Sequence, residues 1–437
     1  MLRKHRENKR NANVIVLARV GEFAKVRDMK LARTGVALVA VVIAACSGSK
    51  TGSGFGSGSG SGSGDGSGSG SGSGSNSFGN SNGDGGAGSG VCAPSPANYD
   101  IPGNGCDDDG DGTVDNVPTC DTGLAVSGGA GDFVKALGVC QAADSTHWGL
   151  VNASYTNGYQ AKGTPGSGQH SIKPAFGSAV TPREGGSLGV ISTGYATEYD
   201  DSSNTLGSAG SAHNGMFKQN SARIGSGSAV PSGYPKSATG CPGPNTLLGS
   251  ATNDVIDVSV QLQVPANAQG VQFDFDFYSG EWPDFVCSSY NDSFIAYLSS
   301  SAFNGGVADN MSFDSKNNPV SVNNGFFDRC TAGADLGCSG NTLPDRSVCA
   351  GGTGELAGTG FLDFQDDYGS CNGGVSKTSS GGATGWLTSQ APVKGGETIT
   401  IDFIIWNTGD QNYDSSVLLD HLTWVPGTTV TGTSRPR

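Results

Sequence analysis

Apolar and polar residues alternate along three stretches in the second half of the chain, at residues 258–264, 271–277 and 399–405. Alternation with a period of two predicts β-strands with one buried face, because successive side chains of a strand point to opposite sides. Helical spacing is convincing only at residues 132–140, which predicts one short helix. Many strands and one helix predict an all-β fold, an antiparallel two-sheet sandwich of jelly-roll type with long, disulfide-pinned loops.

The N-terminal region has the pattern of an export signal. Lys30 and Arg33 precede an apolar run that ends at Cys46 and is too short to span a membrane. This arrangement resembles a bacterial lipoprotein signal, which implies that Cys46 is lipidated and becomes the mature N-terminus. Ser47 follows the cysteine in place of an aspartate, which favours the outer membrane. An ordinary signal peptide with an incidental cysteine is the alternative, and Met29 is an alternative start.

Residues 47–91 consist almost entirely of Gly, Ser, Asn and Asp. A tract of this composition has little apolar surface to bury, so it behaves as a flexible coil. We therefore expect a tether that holds a folded domain clear of a membrane.

The chain of 437 residues is acidic, with a formal net charge of −14, and the N-terminal leader is its most basic part. Nucleic acids and anionic membranes attract surfaces rich in Lys and Arg. The charge therefore argues against a nucleic-acid partner, and removal of the leader would make the mature chain more acidic still.

The 11 cysteines include no C-x-x-C pair, which disfavours zinc ribbons and thioredoxin-like chemistry and indicates an oxidising compartment. If Cys46 is lipidated, an even number is left for disulfides. We expect Cys106 to pair with Cys120, because the two bracket an acidic loop, and the other pairings stay open. The candidate disulfide cysteines are Cys92, Cys106, Cys120, Cys140, Cys241, Cys287, Cys330, Cys338, Cys349 and Cys371.

The acidic loop has carboxylates at Asp107, Asp109, Asp111 and Asp115, spaced by glycines. Oxygen ligands at alternate positions of a tight turn suit calcium, and they repel one another unless a cation lies among them. Pro118 stands where an EF-hand has its Glu, so the loop is closer to the shorter Asp-rich loops of thrombospondin type 3 repeats, which it resembles. A solvated acidic turn is the alternative.

A second set of acidic and amide residues flanks the predicted strands. If the last strand pairs near 271–277, the loops before and after these strands converge at one rim of the sandwich. We expect a second calcium site there. The alternatives are Asp and Asn side chains that bond their own turns, and a glycosidase acid–base pair. The candidates are Glu281, Asn291, Asp292, Asp410, Asp414 and Asp420.

Few residues suggest catalysis. The histidines are widely spaced, no H-E-x-x-H pair occurs, and no serine or cysteine stands recognisably beside a histidine and an acid. We therefore expect no enzymatic activity. Aromatic residues cluster around the second acidic set, where they suit sugar stacking or protein contact, or else core packing. They are Tyr278, Trp282, Tyr290, Trp406 and Tyr413.

Five stretches in order resemble the choice-of-anchor L domain of bacterial surface proteins, particularly the myxobacterial lipoprotein type. The resemblance spans roughly residues 124–426 and implies cell-surface placement with no enzymatic activity to transfer. The stretches are 136–141, 169–177, 273–283 with 290–292, 312–314 with 319–324, and 403–410 with 413–415 and 419–420.

The sequence thus predicts five segments: a signal peptide at 1–45, a lipidated cysteine and tether at 46–91, a calcium-loop segment at 92–123, the sandwich domain at 124–426 and a tail at 427–437. The expected function is that of an outer-membrane-anchored surface lipoprotein. Its calcium-stabilised sandwich would act in adhesion, in structure or in binding of a polysaccharide or surface protein. The alternative is a secreted-type, carbohydrate-active hydrolase that uses the acidic rim.

Overall fold

Each of the three alternating stretches forms a β-strand in a computed structural model. It describes residues 92–166, 168–200, 205–206, 229–239, 251–282, 289–323, 326, 352–361, 381–411 and 413–436. All of them belong to one compact unit, Asn76–Arg437. The predicted signal peptide, Cys46 and the tether lie outside the described residues.

The described residues form one α-helix, two 3-10 turns and fifteen strands. The helix is α1 (Ala130–Ala136), and the 3-10 turns are Asn304–Gly306 and Gly352–Leu356. The strands are β1 (Gly149–Thr156), β2 (His170–Lys173), β3 (Leu188–Ser192), β4 (Tyr199–Asp200), β5 (Thr205–Leu206), β6 (Thr252–Gln263), β7 (Gly270–Ser279), β8 (Ser293–Ser299), β9 (Asp309–Asn310), β10 (Val320–Ser321), β11 (Gly382–Ala383), β12 (Leu387–Pro392), β13 (Thr398–Thr408), β14 (Ser415–Val425) and β15 (Gly432–Ser434).

Two antiparallel sheets face each other, as the alternation predicts. The first has the order β1-β6-β13-β8-β10, with β9 beside β8, and the second has the order β15-β12-β7-β14-β3-β2, with β11 beside β7; β4 and β5 form a separate pair. Phe403 of the first sheet meets Phe273 of the second with 5.0 Å between ring centroids, and Phe294 meets Phe275 at 5.2 Å. The sandwich is confirmed, and its jelly-roll connectivity stays a prediction.

Helix α1 is shorter than the pattern at 132–140 predicts. It buries Phe133 and Val134 in the core. Gly138 has a φ of 98°, a left-handed conformation that glycine adopts without strain and that commonly ends a helix. The apolar residues beyond Gly138 therefore continue into the core as a turn.

The prediction of one buried face is wrong for the central strands. On β7 the polar residues Asp274 and Asp276 are as buried as the phenylalanines between them. The outer face of the second sheet is covered, because Phe176 and Phe361 pack on Tyr278 in a second apolar cluster. Tyr278 and Thr384 donate hydrogen bonds to the Asp276 carboxylate, which offset part of the cost of burying it.

The segment that precedes the predicted domain is packed onto the sandwich. Tyr99 is part of the main core, and its backbone exchanges two hydrogen bonds with the side chain of Asn267, of 2.9 and 2.8 Å. The Trp148 indole donates to the carbonyl of Asn98 at 2.7 Å. Residues around the acidic loop thus contribute to the same core as the sheets.

The predicted tail is partly a strand. Residues 432–434 form β15, which pairs with β12 at the edge of the second sheet. Arg435 then donates hydrogen bonds to the carbonyls of Thr384 and Phe326. The prediction of a tail at 427–437 is wrong for these residues, because the unpaired edge of β12 accepts another strand.

The predicted Cys106–Cys120 disulfide is also wrong. The structure pairs Cys92 with Cys106 and Cys120 with Cys140, with Cα–Cα distances of 5.5 and 5.4 Å. Cys120 lies beside the end of α1, close to the Lys135 carbonyl, and Cys140 follows that helix directly. The first disulfide therefore links the loop to the chain that precedes it, and the second links it to the chain that follows it. Neither disulfide closes the loop on itself. The remaining candidates, Cys241, Cys287, Cys330, Cys338, Cys349 and Cys371, lie outside the described residues.

No helix in the described part of the chain is both long enough and apolar enough to span a bilayer.

Loss of the Cys120–Cys140 disulfide should destabilise the domain. The bridge spans 20 residues, and the chain entropy that it removes from the unfolded state is worth about 3 kcal/mol. We expect the double variant Cys120→Ser, Cys140→Ser to lose about that much free energy of unfolding in a urea titration. Peptide mapping provides the control: Cys106→Ser should free the thiol of Cys92, and release of a Cys120 thiol would contradict the observed pairing.

Candidate functional site

The acidic loop brings three carboxylates together. Oxygens of Asp107, Asp109 and Asp111 lie within 4.8 Å of one another, and in the described ranges no other group of three His, Cys, Asp or Glu does so. Partial burial of Asp109, and then repulsion from Asp111, Asp100 and Asp107, raise the pKa of Asp109. Three convergent oxygens with this charge suit a hard cation such as calcium.

Asp115 does not join this triad, although the sequence places it in the site. Its carboxylate accepts hydrogen bonds of 3.0 Å from the backbone N–H groups of Asn104 and Gly105. The triad residues also bond their own turn, since Gly110 donates to Asp107 at 2.8 Å and Thr113 donates to Asp111 at 2.7 Å. The loop therefore combines the two arrangements that the sequence leaves open, a bonded turn and clustered ligand oxygens.

The second acidic set is brought together by strand pairing. Ser415 at the start of β14 lies opposite Ser279 at the end of β7, and Ser293 at the start of β8 lies opposite Trp406 near the end of β13. The residues just outside these four strand ends therefore meet at one end of the sandwich. We call Glu281, Asn291, Asp292, Asn407, Asp410 and Asp414 the rim cluster.

Asp292 joins the strands that form the rim. Its carboxylate accepts a 2.6 Å hydrogen bond from the Ser415 hydroxyl and a 3.2 Å bond from the backbone N–H of Thr408. Its own N–H donates to Glu281 at 3.2 Å. One fully buried side chain thus connects β14 and β13, and its backbone holds the segment after β7.

The carboxyl groups of the rim cluster are held toward their protonated forms. Burial raises the pKa of Glu281 and of Asp292 well above the ordinary range. Repulsion from Asp292 and Asp410 adds to the rise at Glu281, and repulsion from Asp410 and Asp414 adds to the rise at Asp292. Burial and the nearby Asp254 raise the pKa of Asp414 to about 8. In the described part of the chain, the charges acting on these groups are those of other carboxylates.

Several buried polar atoms at the rim have no hydrogen-bond partner among the described residues. They are both side-chain atoms of Asn407, Nδ2 of Asn291 and Oδ2 of Asp414. These residues are at most 2% exposed, so they are shielded from bulk solvent. Gly194 lies so close to the Asp414 carboxylate that a Cβ there would collide with it.

Sequence reasoning missed Asn407. The residue follows an unbroken apolar run in β13, where an amide has no obvious function. Its position in a strand that is buried on both faces is the signal that could have identified it, because a buried amide needs a partner.

Asp420 is not part of the rim, so the predicted second site loses it. It lies opposite Asp274 in the middle of the β7–β14 pair. Its carboxylate accepts a 2.6 Å bond from the backbone N–H of Arg183, whose side chain bonds Asp274 at 3.1 Å. His421 also lies 3.1 Å from Asp274, and this bond raises its pKa. The five residues that separate Asp420 from Ser415 span about 17 Å of strand.

The aromatic residues near the rim serve mainly as core. Tyr278, Trp282 and Trp406 are fully buried, and Trp406 packs edge-on against Tyr234 with 6.1 Å between ring centroids. Tyr290 and Tyr413 are half-buried. The packing alternative therefore holds for three of the five.

Comparison with known families gives one match: residues 207–423 match the family model described as the Choice-of-anchor L domain. No curated protein and no solved structure matches the chain. The two sheets begin before the matched range, since β1, β2 and β3 precede residue 207.

The raised pKa of Asp414 makes stability depend on pH. Its folded value, about 8, lies above the ordinary value near 4 of an unfolded chain, so folding favours the protonated form. The stability that this proton contributes is complete below pH 4 and is lost as the pH rises through about 8. In EDTA, we expect Asp414→Asn to flatten the fall in unfolding free energy between pH 4 and 8 by up to about 1.4 kcal/mol per pH unit.

Asp132→Asn on the surface of α1 is the matched control, since this carboxylate is half-exposed. Equal slopes for the wild type and for Asp414→Asn would contradict the buried, protonated Asp414.

Proposed function

Because the chain contains a choice-of-anchor L domain, which points to a cell-surface or anchored protein, we propose that it is a lipid-anchored surface module whose β-sandwich is stabilised by calcium. Its task is adhesion, binding or structure at the cell surface. The observation that supports calcium most strongly is the convergence of Asp107, Asp109 and Asp111 in the acidic loop, and the buried, mutually repelling carboxylates of the rim support a second site.

The rim residues fit calcium by the chemistry of their donors. Carboxylate oxygens of Glu281, Asp292 and Asp414 and the unpartnered amide oxygen of Asn407 are ligands that calcium accepts. A bound calcium ion supplies the positive charge that these carboxylates lack and favours their ionised forms. Without such an ion, burial holds these carboxyl groups toward their protonated forms, and no described residue bonds the side chain of Asn407.

The acidic loop supports a first, more exposed calcium site. Asp107, Asp109 and Asp111 already place three oxygens within 4.8 Å. The loop is held against the sandwich by Asp100, whose carboxylate accepts bonds of 2.9 and 2.6 Å from the backbone of Asp108 and Asn116. Calcium in this loop would therefore fix the end of the chain that leads to the tether.

The lipid anchor rests on the sequence around Cys46 and on the long Gly/Ser tract after it. Lipidation at this position and Ser47 after it support placement in the outer membrane. The tether then gives the sandwich reach beyond the bilayer surface.

The hydrolase alternative gains no support from the rim. Glu281 and Asp292 are buried at 2% and 0% exposure, and neither of them lines the grooves of about 530 and 460 Å³ that the described residues form. A general acid must lie within hydrogen-bond reach of its substrate.

Calcium should raise the thermal midpoint of the domain. A ligand present at 100 times its dissociation constant stabilises the folded state by about 2.7 kcal/mol. We expect differential scanning fluorimetry to show a rise in the midpoint when calcium is added after EDTA treatment. Asp111→Asn should remove the part of this rise that belongs to the loop, and Asp292→Asn should remove the part that belongs to the rim.

Asp132→Asn again serves as the control for loss of one negative charge. No change of the midpoint on addition of calcium would overturn the calcium part of the proposal. A rise that survives in both Asp292→Asn and Asp111→Asn would place calcium elsewhere.

Lipidation should depend on a single thiol. We expect cells that express the full chain to incorporate radiolabelled palmitate into it, and Cys46→Ser to abolish the label and release the protein from the membrane fraction. The matched control is Cys92→Ser, which removes a thiol that pairs with Cys106 in the structure. This variant should still incorporate the label, because Cys46 is intact. Label retained in Cys46→Ser would contradict the anchor.

A further inference from the structure

The outer face of the first sheet is only partly covered. Residues 229–239 place Val230 and Tyr234 on Ile404 and Trp406, in an apolar cluster at the rim end of the sheet. Beyond this cover the outward side chains become polar. They line a groove of about 460 Å³, which is within the usual size of a small-molecule site.

One row of side chains crosses four strands along the floor of this groove. Ser154 of β1 pairs with Ser259 of β6, Ser259 with Asp402 of β13, and Asp402 with Tyr297 of β8. Neighbouring strands are about 4.8 Å apart, so the row offers hydrogen-bonding groups at that interval across the sheet.

Asp257 is the least satisfied group in the groove. It is 1% exposed, and its Oδ1 has no hydrogen-bond partner, while Thr156 reaches the other oxygen only at 3.5 Å. Burial and the charge of Asp402 raise its pKa well above the ordinary range. Ser259 donates to Asp402, so of the two carboxylates Asp257 has the greater need of an outside donor.

Two tyrosines form one wall where the apolar cover ends. Tyr159 and Tyr297 pack edge to face, with 5.2 Å between ring centroids and 70° between planes. Both are half-buried, and Gln160 holds the Tyr159 hydroxyl with a 3.1 Å bond. The wall therefore combines fixed aromatic surface with hydroxyl groups.

We propose that this groove binds a glycan, with the C–H face of a sugar ring against Tyr297 and its hydroxyl groups donating to Asp257 and Asp402. A sugar both donates and accepts hydrogen bonds, which matches acidic acceptors that alternate with the hydroxyls of Ser154 and Ser259. It also presents an apolar face that suits an aromatic ring. Lys162 lines the same groove and disfavours a small cation as the occupant.

This inference rests on the proposed surface location and names the ligand class of the binding module. It does not depend on calcium or on the rim cluster, since no residue of that cluster lines the groove. The tests of calcium and of glycan can therefore fail separately.

The experiment is isothermal titration calorimetry of the full chain with cellohexaose, chitohexaose, laminarihexaose and mannohexaose at millimolar concentration. We expect at least one hexasaccharide to bind. Asp257→Asn and Tyr297→Ala should each weaken binding about tenfold, the effect of losing one hydrogen bond or one stacking contact. Asp132→Asn on α1 should bind as the wild type does.

Thermal unfolding separates loss of binding from loss of fold. Asp257→Asn replaces a poorly solvated carboxylate with a group of the same shape. The thermal midpoint of this variant should therefore be no lower than that of the wild type. Titration in EDTA should leave glycan binding in place, whatever the outcome of the calcium test.

Absence of binding to all four hexasaccharides would overturn the proposal. Binding that Asp257→Asn and Tyr297→Ala leave unchanged would overturn it as well. Spermidine or calcium binding that is lost in Asp257→Asn, without any glycan binding, would assign the groove to a cation instead.

Discussion

The antiparallel pairing of β7 with β14 is the constraint on which the rest of the structure depends. Its register places Ser279 opposite Ser415, which sets the acidic segments after β7 and before β14 side by side at one rim. The same register places Asp420 opposite Asp274, far along the strand, where Arg183 and His421 compensate both carboxylates. One pairing thus separates the rim carboxylates from Asp274 and Asp420, which have Arg183 and His421 beside them.

Burial of both sheet faces gives the domain its unusual electrostatics. Asp276, Asp292 and Asp414 lie where an ionised carboxylate is poorly solvated, and burial is the largest cause of their raised pKa values. Such groups either keep a proton or acquire a cation. The rim and the groove on the first sheet both contain carboxyl groups of this kind, at Asp292 and Asp257.

The strands and the sandwich were predictable because alternation is a local signal, and the residues of 258–264, 271–277 and 399–405 carry it directly. The disulfide pairings were not predictable. The end of α1 brings Cys140 to Cys120, and the spacing of the cysteines along the sequence does not show which of them approach each other. Asp420 was misplaced because the length of β14 was unknown. The groove residues Asp257, Tyr297 and Asp402 come from three separate strands and become neighbours only through register.

Strand β15 has a consequence for molecules crowded side by side on a surface. It occupies the open hydrogen-bonding edge of β12 with only three residues, and Arg435 ties it down through the carbonyls of Thr384 and Phe326. A long, bare strand edge is a template on which a neighbouring copy can add its own strand. By pairing with Thr388, Ser389 and Gln390 from within the chain, β15 leaves less of that edge open to a strand of a neighbouring copy.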